Sequence, residues 1–252
     1  MTSSVKYDIL TLTKPVNLLC DNTNYLGRGV IDIYDSFENL NEAKKQAILN
    51  AGFKIFGDYG YTKASIEDIV NEAGISKGSL FYYFGSKKNY FLYLYEYAAS
   101  IMKQQVDGPC ENGTPKYMEK TDFFDRLEDV KERKMKLTIL HPYMSNYIKK
   151  APFEKSKDVY KDIQLINQRL SNERIVDFLD NLDLYKFKDG VNPYMVLQLI
   201  FWCSEGIVNQ IQIKNLMTPN KKHDDPDYNE VIQLYDQYIA MIRENFYKDE
   251  YL

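Results

Sequence analysis

Apolar side chains recur at helical spacing along most of the chain, and the pattern is punctuated by glycine, proline and small capping residues. Over residues 41–59, Ala43, Ala47, Ile48, Ala51, Phe53, Ile55 and Phe56 define one face of an amphipathic helix, loosened at its end by Gly57 and Gly60. A shorter stripe follows, built from Ile66, Ile69, Val70 and Ala73, with Glu67, Asp68, Asn71 and Glu72 between them. Ser65 opens this second helix with Asp68 three residues on, the outline of a capping box. Gly74 is placed to take the left-handed conformation that ends a helix, and Ser76 to cap the next one. From Lys77 to Phe84, Leu80 and Phe84 form an inward row and Phe81 flanks it. Lys77, Gly78, Ser79, Tyr82 and Tyr83 are left for the outer face.

The same spacing predicts helices over 86–106, 121–140, 142–149, 156–182, 193–217 and 228–247, with breaks at 107–115 and 218–227. Asn192-Pro193 is a start signal, an N-cap followed by proline at the first helical position. No strand pattern persists, so the expected fold is all-α: a three-helix N-terminal unit followed by a larger helical body. The boundaries read as an extension over 1–40, a helix-turn-helix over 41–88 and the body over 89–252. The extension carries more acids than bases, which disfavours a basic arm that reaches DNA.

Charge sharpens the picture. The whole chain carries −4, which argues against a nonspecific polyanion binder. Over 41–90, seven lysines face five acids, and from Gly74 to Tyr90 there are three lysines and no acid. A locally basic face on an acidic body suits a protein that both grips and releases DNA. Three cysteines without a C-x-x-C pair give neither a disulfide framework nor a zinc site, and the two histidines stand far apart. No 18-residue apolar run and no secretion signal occur, so a cytoplasmic protein with no membrane partner is expected. No cofactor motif, nucleophile elbow or metalloprotease motif occurs, which disfavours an enzyme.

Two helices about a glycine turn, the second rich in lysine, small residues and tyrosine, make a helix-turn-helix that lies on DNA. The N-terminus of the second helix offers free N–H groups and a positive dipole end to a phosphate. Gly78 and Ser79 let it press close to the groove, Lys77 can reach a guanine edge or a phosphate, and the Tyr83 hydroxyl can donate to a phosphate. Lys87, in the first turn of the helix that Ser86 caps, faces the duplex backbone in this reading.

The segment from Ala47 to Phe91 resembles the DNA-binding domain of the tetracycline-repressor (TetR) family. The likeness rests on F-x-x-x-G-Y at Phe56 to Tyr61, I-x-x-x-A-G-I-S-K-G-S-L at Ile69 to Leu80, and Y-Y-F-x-S-K-K at Tyr82 to Lys88. It implies that Ser65 touches phosphate, that Lys77, Gly78 and Ser79 enter the major groove, and that Phe81, Tyr83 and Lys87 bind backbone or bases. Phe81 stands where the family usually has tyrosine, and Tyr82 or Tyr83 is left to supply that hydroxyl.

The resemblance also implies a homodimer through the last two helices and a small-molecule effector. The segment over 194–213 is apolar around most of its circumference, which calls for burial on several sides, in a monomer core or against a second subunit. Aromatic residues make up 14% of the chain, and Phe124, Tyr143, Met144, Tyr160, Phe178, Trp202 and Glu205 are candidate lining for a largely apolar effector pocket. Ordinary core packing explains the same apolar residues. The expected function is a ligand-responsive regulator, a repressor released from a palindromic operator by its effector. The alternative is a ligand-independent DNA-binding or architectural factor that acts through a protein partner.

Overall fold

A computed structural model describes residues 34–108, 116–217 and 228–252. Its helices are α1 (Asp35–Glu38), α2 (Glu42–Lys63), α3 (Ile66–Ala73), α4 (Lys77–Phe84), α5 (Lys87–Asp107), α6 (Phe123–Leu140), α7 (Pro142–Lys150), α8 (Tyr160–Leu179), α9 (Pro193–Met217) and α10 (Tyr228–Phe246). Short 3-10 turns fill several of the links, and one isolated antiparallel bridge joins Phe187 to Tyr247. The fold is all-α. Residues 109–115 of the break expected at 107–115, the break expected at 218–227, residues 1–33 of the extension, and Cys20 and Cys110 lie outside the described residues.

The helix starts follow from side-chain chemistry. Asn41, Ser65, Ser76 and Ser86 each accept a backbone N–H from three residues on, at 2.9, 3.4, 3.0 and 3.0 Å. Asp122 caps α6 through the amides of Phe124 and Asp125, and Asn192 takes that of Tyr194 at 3.0 Å. The first long helix breaks at Gly60, whose φ of 71° is open to glycine. There the carboxylate of Glu154 receives the N–H of Tyr61 at 2.9 Å.

Two apolar cores result. The first joins α1 to α5 with Leu137, Met144, Tyr147, Ala151, Val159, Ile163 and Ile166. It therefore runs past residue 88 into the body, so the three-helix unit and the body share one core. Lys150 donates to the Gly57 carbonyl at 2.7 Å, Asn146 to Asp58 at 3.0 Å, and Lys88 pairs with Asp162 at 2.8 Å. The second core gathers Phe123, Phe124, Phe178, Phe187, Val196 and Tyr247. Fully buried Arg126 closes its base, its five N–H donors each meeting a backbone carbonyl, those of Met118, Lys120, Phe178, Asp180 and Asn181, at 2.6–3.3 Å.

Candidate nucleic-acid interface

The turn between α3 and α4 is set by Gly74, at φ 65° and ψ 34°, with its N–H turned back to the Asn71 carbonyl. A Cβ there would meet nothing within 4 Å, so it is the backbone conformation that selects glycine. Ile66, Ile69, Val70 and Ala73 fix α3 to the core, and Leu80 and Phe84 fix α4, as their spacing requires.

That packing displays Lys77, Gly78 and Tyr82 to solvent, with Tyr82 73% exposed. Ser79 is half-buried and shares a 2.9 Å hydrogen bond with the Ser76 hydroxyl, and Phe81 is half-buried against the core. Ser65 is half-buried at the α3 cap. At Gly78 a Cβ would meet only the Ser76 Oγ, at 3.8 Å. Nothing among the described residues therefore demands glycine at this exposed helical position.

Two expected contacts sit differently from the sequence reading. Tyr83 does not stand on the outer face: it is only 8% exposed, and its ring packs against Phe37 and beneath the Lys44 ammonium. The cause is α1, which the periodicity from residue 41 onward does not include. Fully buried Phe37 also packs on Phe84 and Tyr93, at 4.8 and 5.4 Å between ring centres, and Tyr34 packs on the same two rings. The Glu38 carboxylate accepts the Tyr93 hydroxyl and the Lys45 ammonium. The signal for α1 was the aromatic pair Tyr34 and Phe37, three apart, just ahead of the Asn41 cap.

Lys87 is also engaged internally. Its ammonium donates to the Ala64 carbonyl at 2.7 Å and lies 4.9 Å from the centre of the Tyr61 ring. Burial pushes its pKa down, against the nearby Asp158 and Glu154. It ties the α2–α3 link to the start of α5. Lys77 pairs with Glu67 across the turn, at 2.5 Å between exposed groups.

The seven pocket candidates do not converge. Met144 belongs to the first core, and Phe124 and Phe178 to the second. Tyr143, Tyr160, Trp202 and Glu205 are exposed. The ninth helix, expected to be buried on several sides, is covered on only part of its circumference within the single chain. Met195, Trp202, Ile213 and Met217 of α9, with Tyr238 and Met241 of α10, lie open in the single chain. One face of α9 is buried against its neighbours, and the other has no cover among the described residues. Two shallow depressions among the described residues are lined by charged and polar side chains, Gln105, Asp129, Arg133 and Lys136 in one, Lys188, Lys248, Asp249 and Glu250 in the other. No helix among the described residues is long and apolar enough to cross a membrane.

A left-handed glycine turn, an acid-free second helix with its small and cationic positions outward, and an all-helical body define a helix-turn-helix DNA-binding regulator. Residues 48–94 match the model of the bacterial regulatory proteins of the tetR family. Over that segment the chain is similar to the TetR family of transcriptional regulators. It is 26% identical over 171 residues to the biofilm operon icaADBC HTH-type negative transcriptional regulator IcaR of Staphylococcus aureus, covering 66% of this chain and 86% of that protein. It is 26% identical over 148 residues to the HTH-type transcriptional regulator YerO of Bacillus subtilis, covering 54% of this chain and 50% of that one. In fold it is similar to SmeT, the repressor of the Stenotrophomonas maltophilia multidrug efflux pump SmeDEF. That similarity has a TM-score of 0.57 at 14% identity, over 82% of this chain and 94% of that one. It is also similar to the fatty acid degradation regulator FadR of Bacillus halodurans, with a TM-score of 0.58 at 14% identity, over 79% and 97%.

Proposed function

We propose that the chain is a homodimeric transcriptional repressor that inserts α4 of each subunit into successive major grooves of a two-fold operator and is released by a small-molecule effector. The observation that carries the reading is Gly78: it is exposed, helical and unconstrained by any described residue, beside the exposed Lys77 and Tyr82. Such a surface suits close approach to a groove. Ser65 and the α4 N-terminus are assigned to phosphate, Lys77, Gly78 and Ser79 to the groove, and Tyr82 to the rim. Tyr83 and Lys87 act by holding α4 and the α2–α3 link in place, and Phe81 packs behind them.

The dimer is supported by the open apolar face of α9 and α10, since a two-fold axis through it buries that face against itself. Two reading helices are then held about 34 Å apart, one turn of duplex. Repression is supported by likeness to proteins described as a negative regulator and a repressor. Mobility shift on the chain's own upstream DNA tests the reading. Lys77→Ala is expected to weaken the shift sharply, and wild-type binding by this variant rejects the assignment of α4.

Effector release requires that the ligand bind the DNA-competent and DNA-incompetent states with different affinity. The helical body, with its aromatic second core, is the assigned location. A second reading is favoured by the divergence of the seven pocket candidates: the chain binds DNA without a small-molecule effector and acts through a partner protein. A thermal-shift screen with aromatic and fatty-acid probes separates the two. A probe that raises the Tm and releases DNA supports the effector.

A further inference from the structure

Glu67 stands in the first turn of α3, and its two carboxylate oxygens are both occupied. One accepts the Lys77 ammonium at 2.5 Å and the other the Ser65 hydroxyl at 3.3 Å. These are two of the groups assigned above to DNA. The side chains of Lys77 and Glu67 are 54% and 63% open to solvent, and Ser65 stands half-buried beside them at the α3 cap. An acid in the first turn of α3 suits the helix dipole, and Asp68 beside it serves the same end. The dipole does not explain why the carboxylate spans from the α3 cap to the first residue of α4.

We propose that Glu67 is an internal stand-in for a backbone phosphate: in the free protein it occupies the donors that bind the duplex, and DNA must displace it. The inference rests on the DNA assignment of α4. Hydrogen bonding from Lys77, with a further bond from its own backbone N–H, holds the Glu67 carboxyl below the usual carboxylate range, so it is an anion at neutral pH. An exposed ion pair of this kind is weak and exchanges easily, which a competitor needs if DNA is to win. The displaced carboxylate also lies close to the phosphates that replace it, and that repulsion further lowers affinity. Glu67 thereby keeps the reading surface partly neutralised and the protein readily released.

The test is an anisotropy titration of the full chain on a duplex selected by the wild-type protein, at one fixed salt concentration. Glu67→Gln is expected to bind about two- to fivefold tighter for each reading head. Glu72→Gln is the control: it removes the same charge from the same helix, but its carboxylate pairs with Lys54 at 2.8 Å, and it is expected to change affinity less. In a Lys77→Ala background most of the Glu67→Gln gain is expected to vanish. No gain, a gain equalled by Glu72→Gln, or a gain undiminished without Lys77 overturns the role of Glu67. Normal binding by Lys77→Ala alone would instead remove the α4 assignment on which it rests.

Discussion

The ring of Phe37 meets the ring of Tyr83 edge to face, 6.2 Å between centres, and it joins a helix outside the family segment to the last turn of the reading helix. This contact moves Tyr83 from the set of displayed residues to the set that holds them. Tyr82 and Tyr83, adjacent in sequence, should therefore fail in opposite ways. Tyr83→Ala is expected to destabilise the head by about 3–5 kcal/mol, the cost of truncating a buried aromatic ring. Tyr83→Phe keeps the ring and is expected to bind DNA within about twofold of wild type. Tyr82→Ala is expected to leave the Tm unchanged and weaken DNA binding. Thermal melts beside anisotropy titrations check all three.

Gly78→Ala separates folding from DNA contact. Alanine is the better helix former and meets no obstacle among the described residues, so the variant is expected to be more stable by up to about 0.5–1 kcal/mol. It is also expected to bind DNA more weakly, because the added methyl stands between α4 and the groove. Unchanged affinity would show that the groove does not come close to this position.

Glu154 links the head to the body at the one place where α2 breaks. Its carboxylate takes the Tyr61 N–H beside Gly60 and also the amides of Lys155 and Ser156, both at 3.0 Å. Glu154→Ala leaves the Tyr61 donor without its charged acceptor and is expected to cost about 1–3 kcal/mol. Denaturant unfolding measures this loss. Hydrogen exchange is expected to place the new flexibility at residues 57–64.

Trp202 lies 65% exposed on the apolar face of α9. Trp202→Arg is expected to dissociate the dimer while preserving helical content, and to weaken operator binding because a single head makes few base contacts. Sedimentation velocity beside circular dichroism reads both effects.

Acid should weaken the second core through Asp122. Burial pushes this carboxyl up, but the amides of Asp125 and Phe124 and the Lys186 ammonium, at 3.0 Å, outweigh burial and hold it below the usual range. A carboxyl whose folded pKa is depressed stabilises the fold above its unfolded value, about 4, and that contribution is lost as the pH falls through the folded value. The Tm is therefore expected to drop below about pH 4. Asp122→Asn, which keeps a capping oxygen, is expected to show a shallower fall.

The helix-turn-helix was legible because its signals are local. Ser65, Gly74, Ser76 and Ser86 act within three or four residues of themselves, and their roles follow from the backbone groups they can reach. Lys77 and Gly78 face outward because Leu80 and Phe84 face inward, which is a matter of helical period. Tyr83 was misplaced because its cover comes from Phe37, forty-six residues earlier, and period says nothing about such a contact. The pocket candidates are scattered for a related reason. Composition marks aromatic residues as candidates, but whether they line one space depends on which of two cores each helix joins. The placement of α9 turned on what lies opposite it, since an all-round apolar helix reads alike whether its cover is its own chain or a second copy.

The central claim is that the exposed side of α4 reads DNA sequence, in two copies related by a two-fold axis. Selection of duplexes by the full chain from a random pool, followed by hydroxyl-radical footprinting of the selected DNA, tests it most directly. Two inverted half-sites, with protected segments centred about one helical turn apart and lost in Lys77→Ala, are the expected result. Recovery of no sequence preferred over random duplex, or of a footprint unaffected by Lys77→Ala, would contradict it.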